Sequence, residues 1–241
     1  MRTLVIGDIH AGLKALEQLL ERAKVTKEDH LILLGDYVDS WSEAFETVEF
    51  LIDLRKTHSC TFIRGNHDEL CKNWLLTGEE NPEWLAHGGQ ATKESYLRAG
   101  RENWAPHLAF FDSLKNTYLD ENNRLYLHAG YTNLKGIEFE YFDKLFYWDR
   151  TLWELAKAID PKLRPGDKNF PKRLTHYKEI FIGHTPISKI GHALPEKGAN
   201  VWNVDTGAAF KGPLTAIDVE TKAFWQSDPV QSFYPNEKGR N

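Results

Sequence analysis

The sequence predicts an α/β fold, and three observations carry that expectation. Short apolar runs alternate with helical repeats through the first seventy residues. Each run gives way to a glycine followed by a carboxylate or an amide, and these endings recur once per strand-plus-helix repeat. The elements follow in order. Thr3–Ile6 is apolar and largely β-branched, a strand, and Leu13, Leu16, Leu19, Leu20 and Ala23 then recur at helical spacing. Residues 31–34 form a second apolar run. Ala44, Phe45, Val48, Leu51, Ile52 and Leu54 mark a second helix, and residues 60–63 a third strand. The βαβαβ order predicts parallel strands joined by right-handed crossovers.

Residues 69–122 read as mainly helical, anchored by Trp74, Leu75, Leu76, Leu108, Phe110, Phe111 and Leu114. Residues 125–127 read as a strand, and 131–177 as loops with one helix around 152–159, interrupted by Pro161, Pro165 and Pro171. Glu179–Ile182 is a further strand. The alternating tail (201–204, 214–219 and 224–225) predicts antiparallel strands of a second sheet. With no linker or internal repeat in 241 residues, a single domain over 1–241 is expected, with 69–122 and 131–178 flanking the mouth of a site.

Composition narrows the function. A net charge of -5 argues against stable nucleic-acid binding, which rests on neutralising phosphates. Cys60 and Cys71 form neither a Cys-x-x-Cys element nor a disulfide framework, and read as free thiols of a reducing compartment. No run approaches the roughly 18 apolar residues of a membrane span, and no secretory leader pattern is present. The expected compartment is the cytoplasm.

Five motifs carry the chemistry: Gly7-Asp8-Ile9-His10, Gly35-Asp36-Tyr37-Val38-Asp39, Gly65-Asn66-His67-Asp68, His128-Ala129-Gly130 and Gly183-His184-Thr185-Pro186. Parallel sheets present ligands at the carboxyl ends of their strands. Asp8, Asp36 and Asn66, spaced by 28 and 30 residues, would therefore share one rim. Oxygen donors mixed with imidazole, without thiolate, suit a pair of divalent cations that activate water. Asp8 and His10, two apart, would face the same way as ligands of one cation. Asp36 suits a bridging carboxylate, while Asp39 and Ser42 stand closer to the helix start and suit capping. Asn66 is a neutral ligand. His67 would face outward as a proton donor, oriented by Asp39 or Asp68. His128 and His184 complete the set. His87-Gly88-Gly89 follows a short helical segment with no strand before it, and is read as a decoy. His30, His58, His107, His176 and His192 read as structural or solvated.

The motif order and strand-end context resemble the calcineurin-like metallophosphoesterases. Within them the likeness is to the bacterial and phage branch of the phosphoprotein phosphatases, through residues 181–186, 204–208 and 212–215. Bacterial diadenosine tetraphosphatases look similar in the same segments. The resemblance implies a four-layer α/β/β/α sandwich around two central sheets. It implies one metal held by Asp8, His10 and Asp36, and a second by Asp36, Asn66, His128 and His184. A metal-bridging water would attack phosphorus in line, with His67 as acid supported by Asp39. Arg150, in Trp148-Asp149-Arg150, would bind the substrate phosphate. Mn²⁺ is the favoured metal, and the ligands also admit Fe or Zn²⁺.

The chain departs from the family where Ser40 and Trp41 replace an Arg-Gly pair whose arginine makes a second phosphate contact, and where Ala11 replaces a glycine. Arg64, before the third motif, is expected to be structural. The leading functional expectation is hydrolysis of phosphomonoesters, on phosphoserine, phosphothreonine or phosphotyrosine in proteins or on a small phosphate ester. The alternative is a diadenosine tetraphosphatase or another nucleotide phosphohydrolase, and the non-enzymatic one is a metal-binding scaffold. The aromatic residues of 131–178 are expected to pack that segment onto the body, and the basic run from Lys157 to Arg173 to form a solvated face.

Overall fold

A computed structural model describes residues 1–187 and 193–240. In chain order its strands are β1 (Thr3–Ile6), β2 (His30–Leu33), β3 (Ser59–Phe62), β4 (Thr117–Leu119) and β5 (Arg124–Leu127). They continue with β6 (Glu179–Ile182), β7 (Glu196–Gly198), β8 (Val201–Asn203), β9 (Pro213–Asp218) and β10 (Phe224–Pro229). The helices are α1 (Leu13–Arg22), α2 (Ala44–Thr57), α3 (Asn66–Thr77), α4 (Pro82–Trp84), α5 (Gln90–Ala99), α6 (Ala105–Asp112), α7 (Leu145–Trp148) and α8 (Thr151–Ala158).

The strands form two five-stranded sheets, ordered β10-β9-β1-β2-β3 and β4-β5-β6-β8-β7. In the first, β1, β2 and β3 run parallel, with Thr3 beside His30 and His30 beside Ser59. Alternation along each strand then sorts the side chains. Leu4, Ile6, Leu31 and Leu33 point outward and pack with Leu16 and Leu19 of α1, Val48 and Leu51 of α2 and Phe110 of α6. Val5 and Ile32 point inward, against Tyr126, Phe181 and Val204 of the second sheet. There the rings of Tyr126 and Phe181 stack with centroids 5.2 Å apart. On the second sheet's other face, Leu125, Leu127, Ile180 and Ile182 pack with Leu152, Trp153 and Ala156 of α8. The result is the expected α/β/β/α order of layers.

The tail corrects one expectation. β9 and β10 do not build the second sheet; they extend the first, β9 lying antiparallel to β1 with Leu4 beside Asp218. Five of the six β9 residues are buried, as a strand flanked on both sides requires. β8 joins the second sheet, but parallel to β6. The expected helical segment also ends early, since residues 117–119 pair with β5. Helix α2 begins after Glu43 without a side-chain cap, so neither Asp39 nor Ser42 caps it. Ser42 bonds Glu237 instead, and Asp39 turns to the site.

Candidate metal centre and active site

Every nominated ligand follows a strand. Asp8 and His10 lie beyond β1, Asp36 and Asp39 beyond β2, and Asn66 and His67 open α3 beyond β3. The second sheet contributes His128 after β5 and His184 after β6. β1 ends before Asp8, so turn geometry rather than strand alternation brings Asp8 and His10 together. The turns are tight. His10, Asp36, Asp39 and His184 have φ of 51°, 54°, 73° and 65°, in the left-handed region that non-glycine residues enter at about 1–2 kcal/mol each. Ala11 shares that conformation at φ 60°, so the residue standing in place of a glycine is held in glycine-like backbone. Bonds between the loops hold it: His10 N donates to Asp36 O at 2.8 Å, and Ala11 N to Tyr37 O at 2.9 Å.

Two donor groups converge. Ligand atoms of Asp8, His10 and Asp36 lie within 4.8 Å of one another, as do those of Asp36, His128 and His184, with Asp36 common to both. The imidazoles are oriented from behind. His128 Nδ1 lies 2.7 Å from the carbonyl of Leu34 and His10 Nδ1 3.2 Å from that of Val38. Donating there leaves each Nε2 facing the cluster, the arrangement a metal-binding histidine uses. His128 Nε2 and His184 Nδ1 approach Asn66 Oδ1 at 3.2 and 2.9 Å. Asp68 orients backbone rather than His67: it accepts from Asp36 N, Tyr37 N and Gly65 N at 2.8–2.9 Å, joining the second motif to the start of α3.

The electrostatics fit bound cations. Asp8, Asp36, Asp68 and Asp205 are all buried, and among the described residues no lysine or arginine forms an ion pair with any of them. Burial, then Asp205 nearby, pushes the Asp8 carboxyl well above the usual range. Burial likewise raises Asp205 to about 6, and burial with Asp36 raises Asp68 to about 7. Burial opposes protonation of His128, but Asp36 and then Asp8 hold it up to about 10. Burial keeps His10 and His184 well below the usual imidazole value, suited to neutral nitrogen donors. Asp8 Oδ1 is buried with no hydrogen-bond partner. Such a cluster of buried carboxylates with an unsatisfied oxygen suits divalent cations, and among the described residues only the neighbouring imidazoles, His128 foremost, pair with it to offset its charge.

His67 stands beside this cluster. Its Nδ1 lies 2.5 Å from Asp39 Oδ2, and Trp84 Nε1 donates to the same oxygen at 2.7 Å. A cavity of about 340 Å³ opens over the group, lined by Asp36, Asn66, His67 and His184 and walled by Trp84, Trp148, Arg150 and Arg240. Arg150 donates to His184 O and Thr185 Oγ1 at 3.2 and 3.1 Å. Trp84, His87 and Arg240 were not anticipated from sequence as wall residues. Trp84 and Arg240 carry no local motif. His87, set aside as a decoy, is exposed on the cavity wall, and its only signal was the adjacent glycine pair. There Gly88 has φ of 105° and its carbonyl accepts from Ser40 N at 3.1 Å. A Cβ on Gly88 would lie 2.6 Å from Ser40 N, so this turn occupies the space beside Ser40.

The remaining expectations divide. Arg64 is structural, donating to Glu69 and to Leu114 O. His30, His58, His107 and His176 bond Thr61, Thr57, Glu49 and Leu134 O, and His192 lies outside the described residues. Tyr131, Phe146, Tyr147 and Trp153 pack the 131–178 segment onto the body, whereas Phe139, Tyr141, Phe142 and Trp148 remain exposed. The basic run is a surface feature away from the cavity walls: Lys157 pairs with Glu196, and Arg173 donates to Tyr131 O. A larger cavity of about 600 Å³ lies under residues 159–178, lined by Ile159, Phe170 and Leu174 and by none of the candidate ligands.

Two stacked sheets with acidic and imidazole side chains gathered at the strand ends are the arrangement of a metal-dependent phosphoesterase. The pattern of the calcineurin-like phosphoesterases matches residues 1–210, and the chain belongs to that family. The family uses a binuclear metal site. A symmetrical bis(5'-nucleosyl)-tetraphosphatase of Pseudomonas entomophila is 39% identical over 292 aligned positions, covering 100% of this chain and 99% of that protein. The asymmetrical bis(5'-nucleosyl)-tetraphosphatase PrpE of Oceanobacillus iheyensis is 23% identical, covering 93% and 91%. Serine/threonine-protein phosphatase 1 of Salmonella typhimurium is 23% identical, covering 90% and 91%. Among solved structures, a protein serine/threonine phosphatase from Saccharomyces cerevisiae superimposes with a TM-score of 0.62 at 17% identity, covering 100% and 83%, a likeness of fold. No helix is long and apolar enough to cross a membrane among the described residues.

Proposed function

We propose that this protein hydrolyses a dinucleoside polyphosphate or a related nucleotide, using two divalent cations. The observation that carries the hydrolytic part is Asp36, common to both donor groups and adjacent to the His67–Asp39 pair. Asp8, His10 and Asp36 would hold one cation; Asp36, Asn66, His128 and His184 would hold the other. Bound there, such cations polarise phosphate oxygens and activate water. The protein's own groups do the rest. His67 donates its Nδ1 proton to Asp39 and so aims Nε2 at the cavity, where it can protonate a leaving oxygen. Arg150 offers a planar fork of donors to the phosphoryl oxygens. The oxygen and imidazole donors favour Mn²⁺ and also accommodate Fe or Zn²⁺.

The substrate class rests on the relatives. The tetraphosphatases match nearly the whole chain, one of them at 39% identity, which moves the nucleotide reading ahead of the phosphoprotein reading drawn from the motifs. The phosphoprotein reading stays second, supported by the 23% identical serine/threonine phosphatase. Parallel reactions of the Mn²⁺-loaded protein with diadenosine tetraphosphate and with a phosphoserine peptide separate the two. Faster release of mononucleotides is expected. Faster phosphate release from the peptide would reverse the order, and neither product from a protein with two bound metals would leave a metal-binding scaffold.

A further inference from the structure

Arg240 is 173 residues from His67 in sequence and touches it in space. Its Nη1 lies 3.1 Å from His67 Nε2, the nitrogen that faces the cavity. The placement is built rather than incidental. Trp41 is fully buried, donates Nε1 to Ala208 O at 2.8 Å, and stacks on Tyr234 with ring centroids 5.3 Å apart. Ser42 binds Glu237 through both its backbone N and its hydroxyl. Gly239 lies so close to the Trp41 ring, at φ of 59°, that a Cβ there would come within 2.7 Å of it. Arg240 N then donates to Ala209 O at 2.9 Å, and the guanidinium lies 5.4 Å from the centre of the Phe210 ring. Trp41 and Ser42 thus form the seat on which residues 234–240 carry an arginine into the cavity.

We propose that Arg240 binds the phosphates of the departing group, so that the enzyme prefers a leaving group that is itself a phosphate. The inference rests on the reading of His67 as the proton donor at this site. In hydrolysis, water oxygen bonds to phosphorus while the phosphorus–oxygen bond to the leaving group breaks. The electron pair stays with the leaving oxygen, which takes the proton from His67 Nε2. A group beside Nε2 is therefore beside the leaving oxygen. A departing serine or threonine is neutral once protonated and gains little from a nearby guanidinium. A departing nucleoside polyphosphate carries several negative charges into a cavity bordered by Asp36, and needs a cation there. Among the described residues no carboxylate pairs with Arg240. A guanidinium has only donors, so its contact with His67 Nε2 belongs to the state in which that nitrogen is unprotonated; once Nε2 carries the proton it will give up, the guanidinium is free to turn to the departing phosphate. Arg150, held against His184 and Thr185, serves the transferred phosphoryl group.

The test compares Arg240→Met, which keeps the packing over Phe210, and Arg240→Lys, which keeps the charge. In the Mn²⁺-loaded protein, kcat/KM is measured for diadenosine tetraphosphate and for p-nitrophenyl phosphate, and ADP binding is measured by calorimetry. Arg240→Met should lose at least about tenfold on the tetraphosphate and in ADP affinity, yet stay within about threefold on p-nitrophenyl phosphate. Arg240→Lys should recover part of the loss. A loss on the tetraphosphate with unchanged ADP affinity would reduce Arg240 to a support for His67 and overturn the proposal, and equal losses on both substrates would overturn it as well. If the wild type cleaves no nucleotide, the functional reading fails by itself, while ADP affinity still decides the role of Arg240.

Discussion

Trp84 Nε1 donates a 2.7 Å hydrogen bond to Asp39 Oδ2, the oxygen that also receives His67 Nδ1. The two residues are 45 apart in sequence, and α4 exists largely to make them meet. Asn81 Oδ1 caps its start, accepting from Glu83 N and Trp84 N, with Pro82 at the first position. Gly89 follows, where a Cβ would fall within 2.5 Å of the indole. Asp39 is thus fixed from one side by a ring that cannot titrate and aims the imidazole from the other.

The pH dependence of turnover should report this arrangement. Burial opposes protonation of His67, but Asp36 and then Asp39 raise it above its usual value near 6.5. A raised imidazole acts as an acid at all pH values below its raised pKa, and the rate then falls as pH climbs through it. Asp39→Asn removes part of the lift, so the falling limb should move to lower pH. Trp84→Phe keeps the carboxylate charge, so its limb should stay at or above that of the wild type, with the rate reduced about tenfold or less. A pH–rate profile in which Asp39→Asn leaves the limb in place would remove Asp39 from this role.

Metal content and rate should separate in two further variants. Asp36→Asn weakens the donor common to both groups and should lose bound metal and activity together. His67→Asn should keep its metal and lose about 10²–10⁴ in rate. The loss should be smaller for a nitrophenolate leaving group, which needs little protonation. Elemental analysis beside turnover on good and poor leaving groups checks both, and equal losses across leaving groups would count against His67 as the acid.

Gly183 should prove as sensitive as a ligand. A Cβ at that position would lie 1.9 Å from Asp8 Oδ1, the carboxylate oxygen without a protein partner. Asp8 cannot simply retreat, because its Oδ2 accepts from His184 N at 2.9 Å. Gly183→Ala is therefore expected to lower metal occupancy while the circular dichroism of the fold stays close to that of the wild type. Full occupancy in the alanine variant would show that Asp8 has more freedom than this packing allows.

Acid stability is set partly outside the site. Arg2 grips Asp29 with Nη2 to Oδ2 at 2.7 Å and Nε to Oδ1 at 3.1 Å, and Thr26 N donates to the same carboxylate. These hydrogen bonds, Arg2 foremost, hold the Asp29 carboxyl well below the usual range. A depressed carboxyl contributes stability that is full above its unfolded value near 3.9 and fades as pH falls toward the folded one. Asp29→Asn should cost about 1–2 kcal/mol at pH 7, discounted because water reaches Arg2. The gap between wild type and variant should close below about pH 4. Thermal melts across that range test it, and a gap independent of pH would place the loss elsewhere.

The first three strands and both intervening helices were legible because each is a contiguous apolar pattern within a few residues of its predicted bounds. The candidate ligands were legible for a related reason: a parallel sheet delivers every strand end to one rim, so local motifs suffice to gather them. Partnering was not legible. Residues 214–219 alternate as any strand does, and nothing in them tells that Asp218 will lie beside Leu4. Trp84 and Arg240 escaped for the same cause, since their partners are fixed by a turn at 85–89 and by a ring at Trp41 rather than by any spacing along the chain.

Asp8, His10, Asp36 and Asn66 hang from one sheet and His128 and His184 from the other, with Val5, Tyr126 and Phe181 filling the seam between. A cation held by both sets would be a rivet through that seam. Its grip would then depend on how far the apolar filling spaces the two sheets, so trimming Phe181, itself no ligand, would loosen metal binding. Conversely, loading the metal would raise the temperature at which the sheets come apart, by mass action on the assembled state. The oily interior of this sandwich is thereby a gauge block for its ionic rim.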